Sequence, residues 1–424
     1  MRYDAILFDF DGTIADTMPG IHQALQYAAG QMGCAPVDDA LARRFIGPPI
    51  LDSAQRYLGL TEEQAVRFYE LFREVYNGEM LFNTRVYTGV PQLLRQLRAQ
   101  GAFVAVASAK PQALVTRLLE RFGLSRFFDR VVGKTTIDAN TSKEIMIRQA
   151  LPARYTRAAM VGDRLYDMES AKALGIDAIG AAWGFGTAEE LTAHGADAVA
   201  ETPRDAARIL LGGETPAPRG FFLSIEGLDG CGKTTQINAI TEHIRRMGYE
   251  VVHTREPGGT PISEDIRALI LDPEKTMCGE TEALLYAASR CEHVRKVIRP
   301  ALERGQVVLC DRFVDSSIAY QGAGRELGME TIAQLNAPAV DGTMPDLTLL
   351  FALDPRTAFL RRNAATKLDR LERAGEAFFM RVRDGYDLLA ETNPQRIKRI
   401  DASHDIETVT REACAHIDRL LSGR

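Results

Sequence analysis

The sequence predicts an α/β protein made of two parallel-sheet domains. Short apolar runs rich in β-formers alternate with amphipathic helical patterns in both halves. Each half also opens the same way, with such a run leading into a glycine-containing loop and then a helix. Midway, the cluster Leu211-Gly-Gly-Glu-Thr-Pro-Ala-Pro-Arg-Gly220 breaks the periodicity and can continue neither a helix nor a central strand. Continuous apolar strands are the mark of a parallel sheet covered on both faces. Ligands of such sheets sit beyond the carboxyl ends of the strands, so the loops there are where chemistry is to be sought.

In the first half, strands are expected at residues 5–9, 103–107, 158–162 and 178–181. Between the first two lies a stretch, about 21–86, without strand patterning; it reads as helices at 21–32, 38–45 and 61–76 inserted after the first loop. In the second half, strands are expected at 221–226, 251–254, 307–310 and 347–353, with helices from near Thr234 and over 284–290. The domains are therefore drawn at 1–211, with a helical insertion at about 17–86, and at 220–424, joined by a linker at 212–219.

At 424 residues, both domains can bury large cores without disulfides or structural metals. Lys+Arg number 51 against 57 Asp+Glu, a net charge of −6, which argues against general nucleic-acid binding. Six cysteines form no Cys-x-x-Cys pair, and no apolar run reaches the length of about 18 residues needed to span a membrane. The N-terminal residues lack a secretory pattern. A cytoplasmic protein with neither membrane nor nucleic-acid partners is expected.

Asp9-Phe-Asp-Gly-Thr13 follows the first strand. Carboxylates two apart in extended chain face one side, and their mutual repulsion favours a shared cation such as Mg²⁺. A lone pair of this kind is more often a turn or cap. Here Asp163 and Asp167 follow another strand, Ser108 ends a third, and Lys143 opens a helix, a set suited to a phosphate and a metal ion. Lys110 reads either as a phosphate contact or as a solvated surface lysine, and Trp183 as a packing residue.

In this order, these motifs resemble the haloacid dehalogenase-like phosphatases across residues 1–211, and the insertion looks like that family's α-helical cap on a Rossmann-like core. The resemblance implies that Asp9 is the nucleophile and Asp11 the acid/base. It implies further that Asp9, Asp11 (through its backbone carbonyl), Asp163 and Asp167 serve Mg²⁺, and that Ser108 and Lys143 hold the phosphoryl group. Phosphoglycolate or an unwanted nucleoside monophosphate is the expected substrate; dTMP itself is disfavoured, because its hydrolysis would run a wasteful cycle.

Gly227-Leu-Asp-Gly-Cys-Gly-Lys-Thr234 fits the phosphate-binding loop pattern in full, between a strand and a helix. Its glycines, with Asp229, Cys231, Lys233, Thr234 and Thr235, are expected to hold ATP, Gly227, Gly230 and Gly232 turning backbone N–H groups toward phosphates; Thr234 would ligate Mg²⁺. Tyr286 and Arg290, four apart on a helix, share a face and suit a nucleobase. Together with Thr254-Arg-Glu-Pro-Gly-Gly-Thr260 and Asp311–Arg325, these segments look like a thymidylate kinase, a P-loop nucleoside monophosphate kinase, over about 220–421. The resemblance implies that Asp229, Arg255, Arg312, Tyr286, Arg290, Ser317, Tyr320 and Gln321 bind dTMP. It also implies that Lys233, Arg312 and a lid cation among Arg361, Arg362, Lys367 and Arg370, with Arg370 placed in the catalytic set, neutralise the migrating phosphoryl group. The family is usually homodimeric, so a dimer through the second domain is expected. The leading expectation is a bifunctional enzyme: ATP-dependent phosphorylation of dTMP and Mg²⁺-dependent phosphomonoester hydrolysis. The rival expectation makes the first domain a silent regulatory module.

Overall fold

In the computed structural model the described residues are 2–46, 48–135, 142–213, 219–362 and 375–422. The chain divides into two compact units, Met1–Thr215 with Arg246–Tyr249, and Pro216–Arg245 with Glu250–Arg424.

The first unit holds strands β1 (Ala5–Phe8), β2 (Ala15–Asp16), β3 (Arg85–Val86), β4 (Phe103–Pro111), β5 (Arg130–Lys134), β6 (Ala158–Gly162), β7 (Asp177–Ala181) and β8 (Ala198–Ala200). Six of them form one parallel sheet in the order β5-β4-β1-β6-β7-β8. β1 and β6 at its centre are buried at every position, which is why they read as unbroken apolar runs. Leu7, Met160, Ile147 and Met168 pack in one core cluster on this sheet.

The insertion differs in detail from its expected form. Besides helices Met18–Gln31, Asp39–Arg43 and Glu62–Tyr76, it contains a fourth, Ile50–Leu58. Its two ends are pinned by the antiparallel ribbon β2–β3, too short to leave a strand signature. The long helix Glu62–Tyr76 starts at a capping box, with Thr61 and Gln64 satisfying each other's backbone N–H groups. It buries Ala65, Phe68, Leu71, Phe72 and Tyr76.

The second unit is a parallel sheet of β9 (Phe221–Glu226), β10 (Val251–Arg255), β11 (Val307–Asp311), β12 (Leu347–Ala352) and β13 (Ile397–Asp401). Its order is β10-β11-β9-β12-β13. β5, β8 and β13 were not expected. β8 has only three residues, β5 is buried at only two of its five positions, and β13 carries Lys398, Arg399 and Asp401 around two buried isoleucines, so none presents a long unbroken apolar run. Among the described residues, no helix is long and apolar enough to cross a membrane.

Candidate active sites

In the first unit, the carboxyl ends of β1, β4 and β6 converge. Asp9, Asp163 and Asp167, all buried, offer carboxylate oxygens within 4.8 Å of one another. Lys143, first residue of the helix Lys143–Ala150, places Nζ 2.8 Å from Asp9 Oδ1 and 2.7 Å from Asp167 Oδ1. Burial, opposed by Lys143 and reinforced by Asp167, raises the Asp9 carboxyl to about 6. Burial, then Asp9 and Asp167, pushes Asp163 well above the carboxylate range. Three buried carboxylates against one ammonium leave an uncompensated negative charge, so the donor set fits a hard divalent cation.

The positions are tightly set. Asp163 accepts from the Thr13 hydroxyl at 3.1 Å and from Phe185 N–H at 2.9 Å. Gly12 has φ +82°, and a Cβ there would fall 2.1 Å from Asp163 Oδ2. Trp183 donates its indole N–H to the Thr13 carbonyl at 3.0 Å, holding the same loop.

Asp9, Asp11, Ser108 and Lys110 line one end of a cavity of about 390 Å³ whose other walls are largely apolar, with Ile21, Phe45, Ile50 and Phe72 from the insertion and Leu114 from the core. The surface-lysine reading of Lys110 is corrected here: its side chain is 4% exposed and its ammonium lies 3.1 Å from Asp11 Oδ1.

In the second unit, the loop after β9 opens with Gly227 at φ +134°, where a Cβ would fall 2.4 Å from the Phe351 carbonyl. The helix Lys233–Arg246 follows. Lys233 is buried and donates to the carbonyls of Gly227 and Leu228 at 3.1 and 2.9 Å. A cavity of about 220 Å³ is lined by Asp229, Tyr286, Arg290, Arg312, Ser317, Tyr320 and Gln321 together. Arg255 does not line it and pairs with Glu264 at 3.0 Å. Arg312, at φ +68°, reaches Asp229 at 2.6 Å, Ser316 at 3.1 Å and the Tyr320 hydroxyl at 3.3 Å. Arg290, 1% exposed, is held by Glu256, Asn336, the Phe313 carbonyl and Ser317. A second, larger cavity of about 700 Å³ adjoins the loop at Gly227 and Leu228 and reaches the ends of β12 and β13.

Comparison with known proteins follows this division. The thymidylate kinase model matches residues 225–413. A thymidylate kinase from Exiguobacterium sp. is 47% identical over 206 residues, 48% of this chain and 97% of the relative. The chain belongs to the thymidylate kinase family. The model of haloacid dehalogenase-like hydrolases matches residues 6–181. The thymidylate kinase portion is thus fused to a hydrolase domain of that kind. Two solved structures resemble the halves in turn. One, described as a predicted phosphatase from Clostridium acetobutylicum, is 30% identical, covering 50% of this chain and all of that one (TM-score 0.46). The other is a thymidylate kinase from Ehrlichia chaffeensis, 35% identical, covering 47% and 99% (TM-score 0.39).

Several side chains in or behind the thymidylate kinase cavity were not singled out from sequence. Glu226, last in β9, accepts from Phe313 N–H at 2.7 Å and from the hydroxyls of Ser316 and Tyr386 at 2.5 and 2.9 Å. Burial, with Asp315 adding, raises it to about 7. Glu256 braces Arg290 and His293. Asp311 ends β11 with Oδ1 buried and without a hydrogen-bond partner. All three had a local signal, since Glu226 and Asp311 end strands and Glu256 directly follows one. Of the lid candidates, Arg361 donates to the Ala402 carbonyl at 3.1 Å. The Arg362 side chain, Lys367 and Arg370 lie outside the described residues.

Proposed function

We propose that the thymidylate kinase domain transfers the γ-phosphoryl group of ATP to dTMP, giving dTDP and ADP, while the N-terminal domain hydrolyses a phosphomonoester through an aspartyl-phosphate. The kinase reading is supported by the single cavity that gathers Asp229, Tyr286, Arg290, Arg312, Ser317, Tyr320 and Gln321 beside the phosphate-binding loop. In it Arg312 engages the dTMP phosphate, Tyr286 meets the base, and Lys233 turns from the loop carbonyls to the ATP phosphates. Arg255 reaches the dTMP phosphate once released from Glu264. The larger neighbouring cavity suits the rest of ATP. Thr234 and Asp311, whose Oδ1 is buried without a hydrogen-bond partner, would hold Mg²⁺, which would supply charge neutralisation to the ATP phosphates. The second domain acts as a homodimer, and the protein works in the cytoplasm.

The hydrolase reading is supported by the buried Asp9–Asp163–Asp167 cluster, with Lys143 bridging Asp9 and Asp167. Those acids and the Asp11 carbonyl would hold Mg²⁺, which supplies charge neutralisation beside the phosphoryl group. Asp9 attacks phosphorus as the ester P–O bond breaks, and Asp11 gives its proton to the departing alcohol. Asp11 then takes a proton from the water that opens the acyl phosphate, releasing phosphate and restoring Asp9. Ser108 and Lys143 hold phosphoryl oxygens. The cavity walls combine apolar side chains with Arg73, Lys134 and Arg164, so they suit a substrate whose alcohol carries a ring or an anionic group, as a nucleoside monophosphate or phosphoglycolate does.

An Asp9→Asn variant of the full chain tests the two-site reading. Phosphatase turnover is expected to fall at least about a hundredfold with the dTMP kinase rate intact. Parallel loss of both activities overturns the reading. A wild-type chain without Mg²⁺-dependent turnover on a panel holding phosphoglycolate, dUMP and dTMP favours the silent-module alternative.

A further inference from the structure

We propose that Lys110 and Tyr76 are positioning residues for the Asp11 carboxyl, so that proton delivery to the leaving group depends on how the helical insertion is seated. The proposal rests on the hydrolase reading above and adds two residues to it.

Lys110 lies two positions beyond Ser108 on β4, where pairing to β5 is interrupted between Ala107 and Pro111. Such an irregularity re-aims side chains that a regular ladder would send elsewhere. The ammonium lies 3.1 Å from Asp11 Oδ1 and 2.6 Å from the Tyr76 hydroxyl. A buried charge of this kind is retained only with good partners, because desolvation is costly. Removing either partner leaves the other contact to hold the side chain alone.

Tyr76 gives the arrangement its direction. It is the last residue of the helix Glu62–Tyr76, belongs to the insertion, and is 4% exposed. Its ring stacks on Phe72 at 5.0 Å and 21°, so the hydroxyl is aimed by helix packing rather than by the core domain. The chain Tyr76–Lys110–Asp11 therefore runs from the insertion to the acid/base. All three side chains line the cavity that also holds Asp9. Lys110 engages one oxygen of Asp11, Oδ1, which fixes the carboxyl rotamer and leaves Oδ2 to serve the departing alcohol. When the insertion moves, Tyr76 withdraws, Lys110 loses a partner, and the Asp11 carboxyl is no longer held.

The alternative role for a lysine here is a direct phosphate ligand, and leaving-group chemistry separates the two. A weakly basic phenolate departs without a proton; a strongly basic one needs it. In the full chain, kcat/KM is measured for ring-substituted phenyl phosphates from p-nitrophenyl to unsubstituted phenyl. This ratio reports only the steps up to formation of the aspartyl-phosphate. Tyr76→Phe keeps the ring and its stacking and deletes the hydroxyl. Its loss is expected to grow with leaving-group basicity, reaching about tenfold for phenyl phosphate and least for the p-nitrophenyl ester. Lys110→Met is expected to steepen the same slope. A loss equal across the series, or none, overturns the proposal. A uniform rise in KM for Lys110→Met with Tyr76→Phe silent makes Lys110 a phosphate ligand instead. Turnover of the wild type that survives Asp9→Asn condemns the underlying hydrolase reading, a result distinct from either.

Discussion

Gly12 shows how little freedom a single position has in the hydrolase site. Its backbone is left-handed, where an L side chain costs about 1–2 kcal/mol, and a Cβ would strike the Asp163 carboxylate. Gly12→Ala is therefore expected to displace Asp163, raise the Mg²⁺ concentration for half-maximal phosphatase rate at least about tenfold, and lower the melting temperature of the first unit. An unchanged Mg²⁺ titration would refute the link between Gly12 and Asp163. This position was legible in the sequence because Asp9, Asp11 and Gly12 lie within four residues and their spacing alone places two carboxylates and a turn together. The phosphate-binding loop was legible for the same reason. The role of Glu226 was not, since its partners Ser316 and Tyr386 are 90 and 160 residues away. Nor were the burial and pairing of Lys110, because a bulge in β4 sets its direction and no spacing rule reports a bulge.

At the scale of elements, the helices Lys233–Arg246 and Ile406–Ser422 are joined by His243 Nε2 and Asp418 Oδ1 at 2.6 Å. Burial alone would lower the imidazole, but Asp418 and Cys414 override it and raise it to about 9. The folded-state value lies above the unfolded one of about 6.5, so the contribution is fully present below that pH and fades as pH rises through 9. With the ring 19% exposed, the pair is worth about 1–2 kcal/mol. His243→Gln should lower the denaturant midpoint of the second unit at pH 6 and leave it nearly unchanged at pH 10. An equal effect at both pH values would point to packing rather than charge. Element existence was well read where strands are buried on both sides. The failures fall on half-exposed or very short segments such as β13 and β8, and on the helix Ile50–Leu58. In those strands the burial that creates a pattern is incomplete, whereas the helix is amphipathic but only nine residues long.

At the scale of the molecule, whole-chain charge said nothing of phosphate chemistry. A net −6 coexists with two sites that each carry local cations, Lys143 and Lys110 in one and Lys233 and Arg312 in the other. Association is likewise decided locally, and here the structure offers what the sequence could not. Ile262 and Leu269 on the helix Pro261–Leu271 and Leu284 on the helix Gly279–His293 are exposed apolar side chains, 57%, 37% and 58% accessible. Periodicity hid them, because a helix with apolar residues on two faces reads simply as buried. Leu284 precedes Tyr286 by two positions, so it points away from the face that lines the cavity beside the phosphate-binding loop. We place the proposed homodimer interface on this apolar face; Leu284→Glu should therefore cost the folded chain little while burying an unpaired charge between the two copies, a penalty on the order of several kcal/mol. Light scattering after size exclusion is expected to give twice the chain mass for the wild type at micromolar concentration and the single-chain mass for the variant. A wild-type dimer that Leu284→Glu leaves intact would place the interface away from these two helices.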